Sequence, residues 1–313
     1  MSTDKTPADT TIGFVGLGHM GGPMAINLAK AGYTVHGFDL VPEAVEKAKA
    51  EGVIPVDSVA AAATGADVVI TSLPNGGLVK KVYDGAEGVL ANATKGALLI
   101  DTSTIDVDEA RASATDAEAA GLTHLDAPVS GGVVGATNGT LAFMVGGRDD
   151  VFAAAAPYFD VMGAKAVHCG ASGAGQAVKL CNNMLLAIHQ IGVGEAFALA
   201  EKLGVQDQVF YDVASAATGT CWALNVNCPV PGPVPASPAN RDYSGGFAVG
   251  LMNKDLGLAL AAVEKNGVHA ELGKAAGQIY SSLNETDAAT KDFSVVYTQI
   301  AEKSGVVKGG SAA

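Results

Sequence analysis

Residues Thr11 to Gly32 read TIGFVGLGHMGGPMAINLAKAG. The first five form an apolar run of strand length that stops at glycines. Gly16-Leu17-Gly18-His19-Met20-Gly21 follows, and a helical pattern runs from Met20 to Ala31, closed by Gly32. Between a strand and a helix, each glycine of a G-x-G-x-x-G has a task. Gly16 allows the tight turn, Gly18 lets the backbone approach a pyrophosphate, and Gly21 lets the helix pack on the strand. The helix start then offers free N–H groups and the positive end of its dipole to phosphate.

Asp39 ends a second strand pattern, Thr34 to Phe38, and stands 18 residues past Gly21. A carboxylate there accepts hydrogen bonds from the adenosine ribose and repels a 2′-phosphate, and no Arg lies near it in the sequence. The stretch predicts a Rossmann domain that takes NAD.

Outward from it, apolar runs at Ala66–Ser72, Ala97–Asp101, Leu122–Ala127 and Thr140–Val145 read as further strands. Helical patterns at Pro42–Ala50 and Asp149–Tyr158 lie among them. Apolar strands alternating with helices predict a parallel sheet covered on both faces. Such sheets bind ligands outside the carboxyl ends of their strands. The loops Leu73-Pro74-Asn75, Ser103-Thr104-Ile105 and Pro128-Val129-Ser130-Gly131-Gly132 leave those ends.

The texture changes near Gly170. Gln176 to Leu203 is apolar nearly all round, which predicts a long buried helix. Helical patterns follow at Gln206–Ala216, Leu251–Lys265, Glu271–Leu283 and Phe293–Lys303, with a long loop at Asn225–Gly246. The expected layout is a disordered leader (1–10), a Rossmann dinucleotide-binding domain (11–170) and an all-α domain for substrate and oligomerisation (171–313), joined by the long buried helix.

Acidic residues outnumber basic ones by 32 to 19, a net charge of −13. That balance argues against a nucleic-acid backbone or an anionic membrane as partner. No run of about 18 uninterrupted apolar residues is present, so no transmembrane helix is expected. The polar start MSTDKTPADT has no secretory h-region. Cys169, Cys181, Cys221 and Cys228 form no C-x-x-C pair and read as free thiols in the cytoplasm. The six His are scattered without a ligand pattern, so no metal is expected.

Lys179 and Asn183 are four residues apart and share a helical face, with Asn182 close by. Buried in an apolar helix, such polar groups need a reason. Desolvation lowers a lysine toward neutrality, where its amine can exchange protons, and an Asn on the same face can orient a substrate.

These residues resemble the β-hydroxyacid dehydrogenases, over Ile12 to about Ile300. The resemblance rests on GFVGLGHMGGPMAINLAKAG at 13–32, DTSTID at 101–106, DAPVSGG at 126–132, GAGQAVKLCNNMLLAI at 173–188 and GGFAVGLMNKDLGLA at 245–259. CWALNVNCPVPG at 221–232 points to the 3-hydroxyisobutyrate branch.

The resemblance implies that Lys179 is the catalytic acid/base and that Asn183 supports substrate and lysine. It implies that Ser130, Gly131 and Gly132 bind the substrate carboxylate. Leu73, Pro74, Thr104 and, from the second domain, Lys254 are implied cofactor contacts, beside Gly16, Leu17, Gly18, His19, Met20, Gly21 and Asp39. Phe247 and Trp222 are candidates for the pocket wall, with core packing as the alternative. Asp255 is expected to be structural. Some relatives have Asn four residues after the loop proline; Leu78 stands there, and Asn75 is offered as its substitute.

The implied reaction is NAD-dependent oxidation of a small β-hydroxy acid. It would be 3-hydroxyisobutyrate to methylmalonate semialdehyde, in valine catabolism, by a homodimer or homotetramer. A sibling such as tartronate semialdehyde reductase shares the motifs. A non-catalytic dinucleotide-binding module is the remote alternative, and the presence of Lys179 argues against it.

Overall fold

A computed structural model describes residues 6–306. The chain divides into two compact units, one ending at Lys179 and the other beginning at Leu180.

The first unit holds nine strands among the described residues: β1 (Thr11–Val15), β2 (Thr34–Phe38), β3 (Ile54–Pro55), β4 (Val68–Thr71), β5 (Leu98–Asp101), β6 (Thr123–Asp126), β7 (Val129–Ser130), β8 (Leu141–Gly146) and β9 (Gly163–Gly170). Its helices are α1 (Gly21–Lys30), α2 (Pro42–Lys49), α3 (Val59–Ala63), α4 (Gly76–Tyr83), α5 (Val89–Asn92), α6 (Val107–Ala119), α7 (Gly132–Asn138) and α8 (Asp149–Met162). The strand order is β3-β2-β1-β4-β5-β6-β8-β7, with β9 paired to β8.

From β3 to β6 every pairing is parallel. Neighbouring residues of a strand point to opposite faces, and both faces are covered. Val68, Ile70, Leu98 and Ile100 pack in one cluster with Met24 and Leu28 of α1 and Phe159 of α8. Val69 and Leu99 pack in another with Val79 of α4 and Ala110 and Ala117 of α6. The parallel rule stops at β6: β8 runs antiparallel to both β6 and β7. The link from β7 to β8 is built on the seven-residue α7. Such a short return suits an antiparallel pair, whereas a parallel crossover takes a dozen residues or so.

The expected leader is ordered in part. Residues 1–5 lie outside the described residues. Pro7–Asp9 form a 3₁₀ turn, the Thr6 hydroxyl donates to Asp9 Oδ2 at 2.6 Å, and Thr10 is buried at the start of β1.

The long helix, α9 (Ala174–Lys202), starts before the unit boundary. Its first turns bond to the sheet's loops, which is why the first compact unit extends to Lys179 rather than stopping near residue 170. The helix is not buried all round: Val178, Leu185 and Leu199 are exposed, as is Cys181. An apolar composition without a clean stripe hides which face packs. By length and composition α9 could also cross a membrane, contrary to expectation, because its few polar residues are spread thinly through apolar ones. Half of its most apolar stretch is buried inside the protein, and Gln176, Lys179, Asn183 and Gln190 are among the helix's buried side chains. That is the pattern of a core helix.

The second unit continues with α10 (Asp207–Ala214), α11 (Trp222–Asn225), α12 (Val249–Lys265), α13 (Glu271–Asn284) and α14 (Val296–Lys303). Ala187 and Ile191 of α9 pack with Val249, Met252 and Leu256 of α12 and Tyr280 of α13. The Pro-rich stretch before α12 is a packed loop. Its Cys228 and Val230 are buried, and the Tyr243 hydroxyl donates to the Pro229 carbonyl at 2.8 Å.

Candidate active site

The parallel strands end in one register row. Val15 pairs with Phe38 and Thr71, Thr71 with Asp101, and Asp101 with Asp126. Every loop singled out in the first half of the sequence leaves the sheet along this row.

The glycine loop opens on Gly16, whose φ of +97° is a left-handed conformation that a side chain would strain. A Cβ on Gly21 would lie 1.9 Å from the Gly16 carbonyl oxygen, and one on Gly18 would meet nothing within 4 Å. Thus Gly21 is required by packing, while Gly18 faces open space. Helix α1 starts at Met20 without a side-chain cap. Asp39 Oδ2 accepts from Leu17 N at 2.6 Å and Oδ1 from Val41 N at 2.8 Å, which fixes the carboxylate beside the loop. A tight turn, an open glycine, an uncapped helix start and a fixed carboxylate fit a dinucleotide.

The next two loops are tied together. Ser103 Oγ accepts from Leu73 N at 2.9 Å, and Asp101 Oδ1 accepts from Ser103 N at 3.1 Å and from the Thr71 hydroxyl at 2.8 Å. Burial raises the Asp101 carboxyl to about 6, although the bonds from Ser103 and Thr71 favour its ionised form. Pro74 precedes Asn75, whose side-chain oxygen accepts from Leu78 N at 3.0 Å and caps α4. The Asn75 oxygen therefore serves the helix, and Leu78 itself is exposed.

Beyond β6, Asp126 caps the helix that carries the lysine. Its oxygens accept from Gly173 N at 2.7 Å and Gln176 N at 3.0 Å, while burial pushes its carboxyl up. Ser130 ends β7, and Gly131 and Gly132 follow with φ of +130° and +62°. Lys179 is 6% exposed, and its Nζ donates to the Val129 carbonyl at 2.8 Å. The lysine head is thus anchored to the residue just before Ser130-Gly131-Gly132.

In the second unit Asn183 is buried. Its Nδ2 donates to Asp255 Oδ2 at 2.6 Å, and its Oδ1 accepts from Asn182 Nδ2 at 3.1 Å. Lys254 Nζ lies 3.5 Å from Asp255 Oδ1. Phe247 is half-buried with its ring edge-on to Phe293, whereas Trp222 is 51% exposed, which removes core packing as its explanation. Among the described residues no three His, Cys, Asp or Glu side chains gather as a metal site.

Residues 11–170 match the family model described as the NAD binding domain of 6-phosphogluconate dehydrogenase. Residues 173–300 match the one described as NAD-binding of NADP-dependent 3-hydroxyisobutyrate dehydrogenase. A 3-hydroxyisobutyrate dehydrogenase of Pseudomonas aeruginosa is 48% identical, over 92% of this chain and 97% of that protein. The chain belongs to the 3-hydroxyisobutyrate dehydrogenase family. Its first unit is a Rossmann-type NAD-binding domain, and the protein is an oxidoreductase. An NAD-dependent L-serine dehydrogenase of the same bacterium is 46% identical, over 91% of this chain and 96% of that protein. A solved structure, the Mycobacterium tuberculosis 3-hydroxyisobutyrate dehydrogenase with L-serine, is 52% identical and superposes with a TM-score of 0.89, over 93% of this chain and 99% of that one.

Three residues of these networks, Asp101, Asp126 and Gln176, were not among the sequence candidates. Asp101 and Asp126 close their strands inside motifs that were quoted for other positions. Gln176 is fully buried in the lysine helix; Asp255, expected to be structural, holds Asn183. A carboxylate or amide inside an otherwise apolar segment was the available signal.

Proposed function

We propose that this chain oxidises 3-hydroxyisobutyrate to methylmalonate semialdehyde with NAD, with Lys179 as general base and, in reverse, general acid. The observation that carries the reading is the anchoring of buried Lys179 to Val129, next to Ser130-Gly131-Gly132. Backbone N–H groups of a left-handed glycine pair suit a carboxylate. A β-hydroxy acid has a carboxylate and a hydroxyl two carbons apart, so one end meets the glycine pair and the other the lysine. The neutral Lys179 amine takes the hydroxyl proton as the alcohol becomes a carbonyl. Bound NAD supplies the hydride acceptor.

Gly16, Leu17, Gly18, His19, Met20, Gly21 and Asp39 would hold the dinucleotide, with Leu73, Pro74 and Thr104 from the next two loops. The Asp39 carboxylate, fixed by Leu17 N and Val41 N, favours a ribose hydroxyl over a 2′-phosphate and so NAD over NADP. Of the second unit, we assign Asn183, Phe247 and Trp222 to the substrate and Lys254 to the cofactor. We place the enzyme in the cytoplasm as a homodimer or homotetramer, in valine catabolism. The exposed Leu199, Leu203, Val213 and Leu272 support self-association, and four unpaired cysteines support a reducing compartment.

L-Serine is a second reading, favoured by the 46% identical L-serine dehydrogenase. Serine too is a β-hydroxy acid and presents the same two groups. NADH formation from 3-hydroxyisobutyrate, L-serine, D-glycerate and 3-hydroxypropionate, each with NAD and NADP, tests both. The highest kcat/KM with 3-hydroxyisobutyrate and NAD is expected. A higher value with serine moves the chain to the second reading, and preference for NADP overturns the role of Asp39.

A further inference from the structure

We propose that Gln176 is a positioning residue that clamps the backbone on both sides of Thr104 to the start of the helix carrying Lys179. The inference rests on the proposed roles of Thr104 and Lys179. Gln176 has no exposed surface. Its Oε1 accepts from Ile105 N at 3.1 Å, and its Nε2 donates to the Ser103 carbonyl at 2.7 Å. Both partners are backbone, they flank Thr104, and they lie more than 70 residues away in sequence.

A side-chain amide presents one acceptor and one donor side by side, as a peptide group does. Gln176 therefore occupies the loop after β5 as a neighbouring strand would. Its own N–H is held by Asp126, so the clamp starts from a fixed point. Its reach extends one loop further, because Ser103 Oγ accepts from Leu73 N. Two cofactor loops and the lysine helix are thus set by one buried amide.

Of the common side chains, only glutamine fits both partners at this reach. A leucine would leave the Ile105 N–H and the Ser103 carbonyl buried without partners. An ionised glutamate would accept from Ile105 but turn an oxygen toward the Ser103 oxygen. Once protonated, the same glutamate donates to Ser103 and restores both bonds. The titratable groups around this point are Asp126, Asp101 and Lys179, with Arg111 against Gly173. All four remain in the variant, so the ratio of variant to wild type at each pH isolates residue 176.

The test is NADH titration and steady-state kinetics of Gln176→Glu and Gln176→Leu at pH 6 and pH 8.5, with melting temperatures. Gln176→Glu is expected to bind NADH about tenfold more weakly than wild type at pH 8.5, the size of one lost buried hydrogen bond, and to come within about threefold at pH 6. KM for NAD should rise while KM for the hydroxy acid holds. Gln176→Leu should show a loss that does not recover at pH 6; if it fails to fold, Gln176→Glu decides alone. Wild-type NADH affinity in Gln176→Glu at both pH values, with only a lower melting temperature, would overturn the proposal. Wild-type protein that binds NADH but oxidises none of the hydroxy acids would sink the proposed reaction, and the NADH titration would still decide Gln176.

Discussion

Asp126 and Asp292 are both buried, and both gather donors from distant parts of their own unit. Asp126 accepts from Gly173 N and Gln176 N, 47 and 50 residues on. Asp292 accepts from Asn227 Nδ2 at 2.9 Å, Ser294 Oγ at 2.6 Å, Ser294 N at 3.0 Å and Phe247 N at 2.8 Å. The second network staples the Pro-rich loop and the segment before α12 to the turn before α14, and it reaches one proposed substrate residue, Phe247, through its backbone N–H and not through the lysine helix. The first ends a strand on the carboxyl edge of the sheet, and each group it holds leads on to another, Gln176 to Thr104 and the same helix to Lys179. A buried carboxylate becomes part of a site through what its donors carry. Burial and bond count alone do not distinguish it from a staple.

Asp292 carries the largest expected effect. Asp292→Ala leaves several buried donors unpaired and should cost about 3 kcal/mol or more, at about 1–3 kcal/mol for each. With Lys179 untouched, kcat measured well below the melting temperature should stay within about threefold of wild type, any further loss falling on KM for the hydroxy acid through Phe247. Urea unfolding beside initial rates checks both halves, and a stable but inactive variant would erase the distinction.

His124, unlike either aspartate, is a buried polar group with no hydrogen-bond partner on either ring nitrogen. It lies on β6 with Tyr83 edge-on to its ring, and burial lowers its pKa to about 4. Between pH 6.5 and 4 the unfolded chain binds a proton that the native His124 does not, so this residue's contribution falls as pH falls. Asp101, raised to about 6, works in the opposite direction: from pH 6 down to about 4 the native state binds the extra proton and gains stability. The two offset each other in wild type. His124→Phe should therefore gain about 2 kcal/mol relative to wild type on going from pH 7 to pH 4.5, as read by urea unfolding. An unchanged difference would mean that His124 finds a partner.

Asp126→Asn is the smallest and most pointed change. It keeps the volume but turns an amide N–H toward one of the two helix N–H donors. Turnover should drop about tenfold with a loss of about 1 kcal/mol in stability. A drop in stability with full turnover would make Asp126 a staple like Asp292.

Much of the first unit was legible because its signals are local. Strand, glycine turn and helix follow one another within 22 residues, and Asp39 lies one strand further on. The loops and Lys179 were legible for the same reason, since each directly follows a strand or sits in a helix with obvious polar exceptions. The antiparallel β8 was not, because an apolar run carries no record of direction. Gln176 and Asp101 were missed because their partners lie about 30 to 70 residues away, where no periodicity points. Exposure along α9 was missed because leucines on its open face read the same as those packed inside.

The proposed reaction turns on the Lys179 amine taking the hydroxyl proton. Lys179→Ala tests it most directly, with NADH affinity and NADH formation from 3-hydroxyisobutyrate measured on one preparation, with and without added ethylamine. NADH affinity within about twofold of wild type is expected, with turnover reduced by about 10³ and rate returning in proportion to the unprotonated added amine. Turnover near the wild-type level without any amine would contradict it.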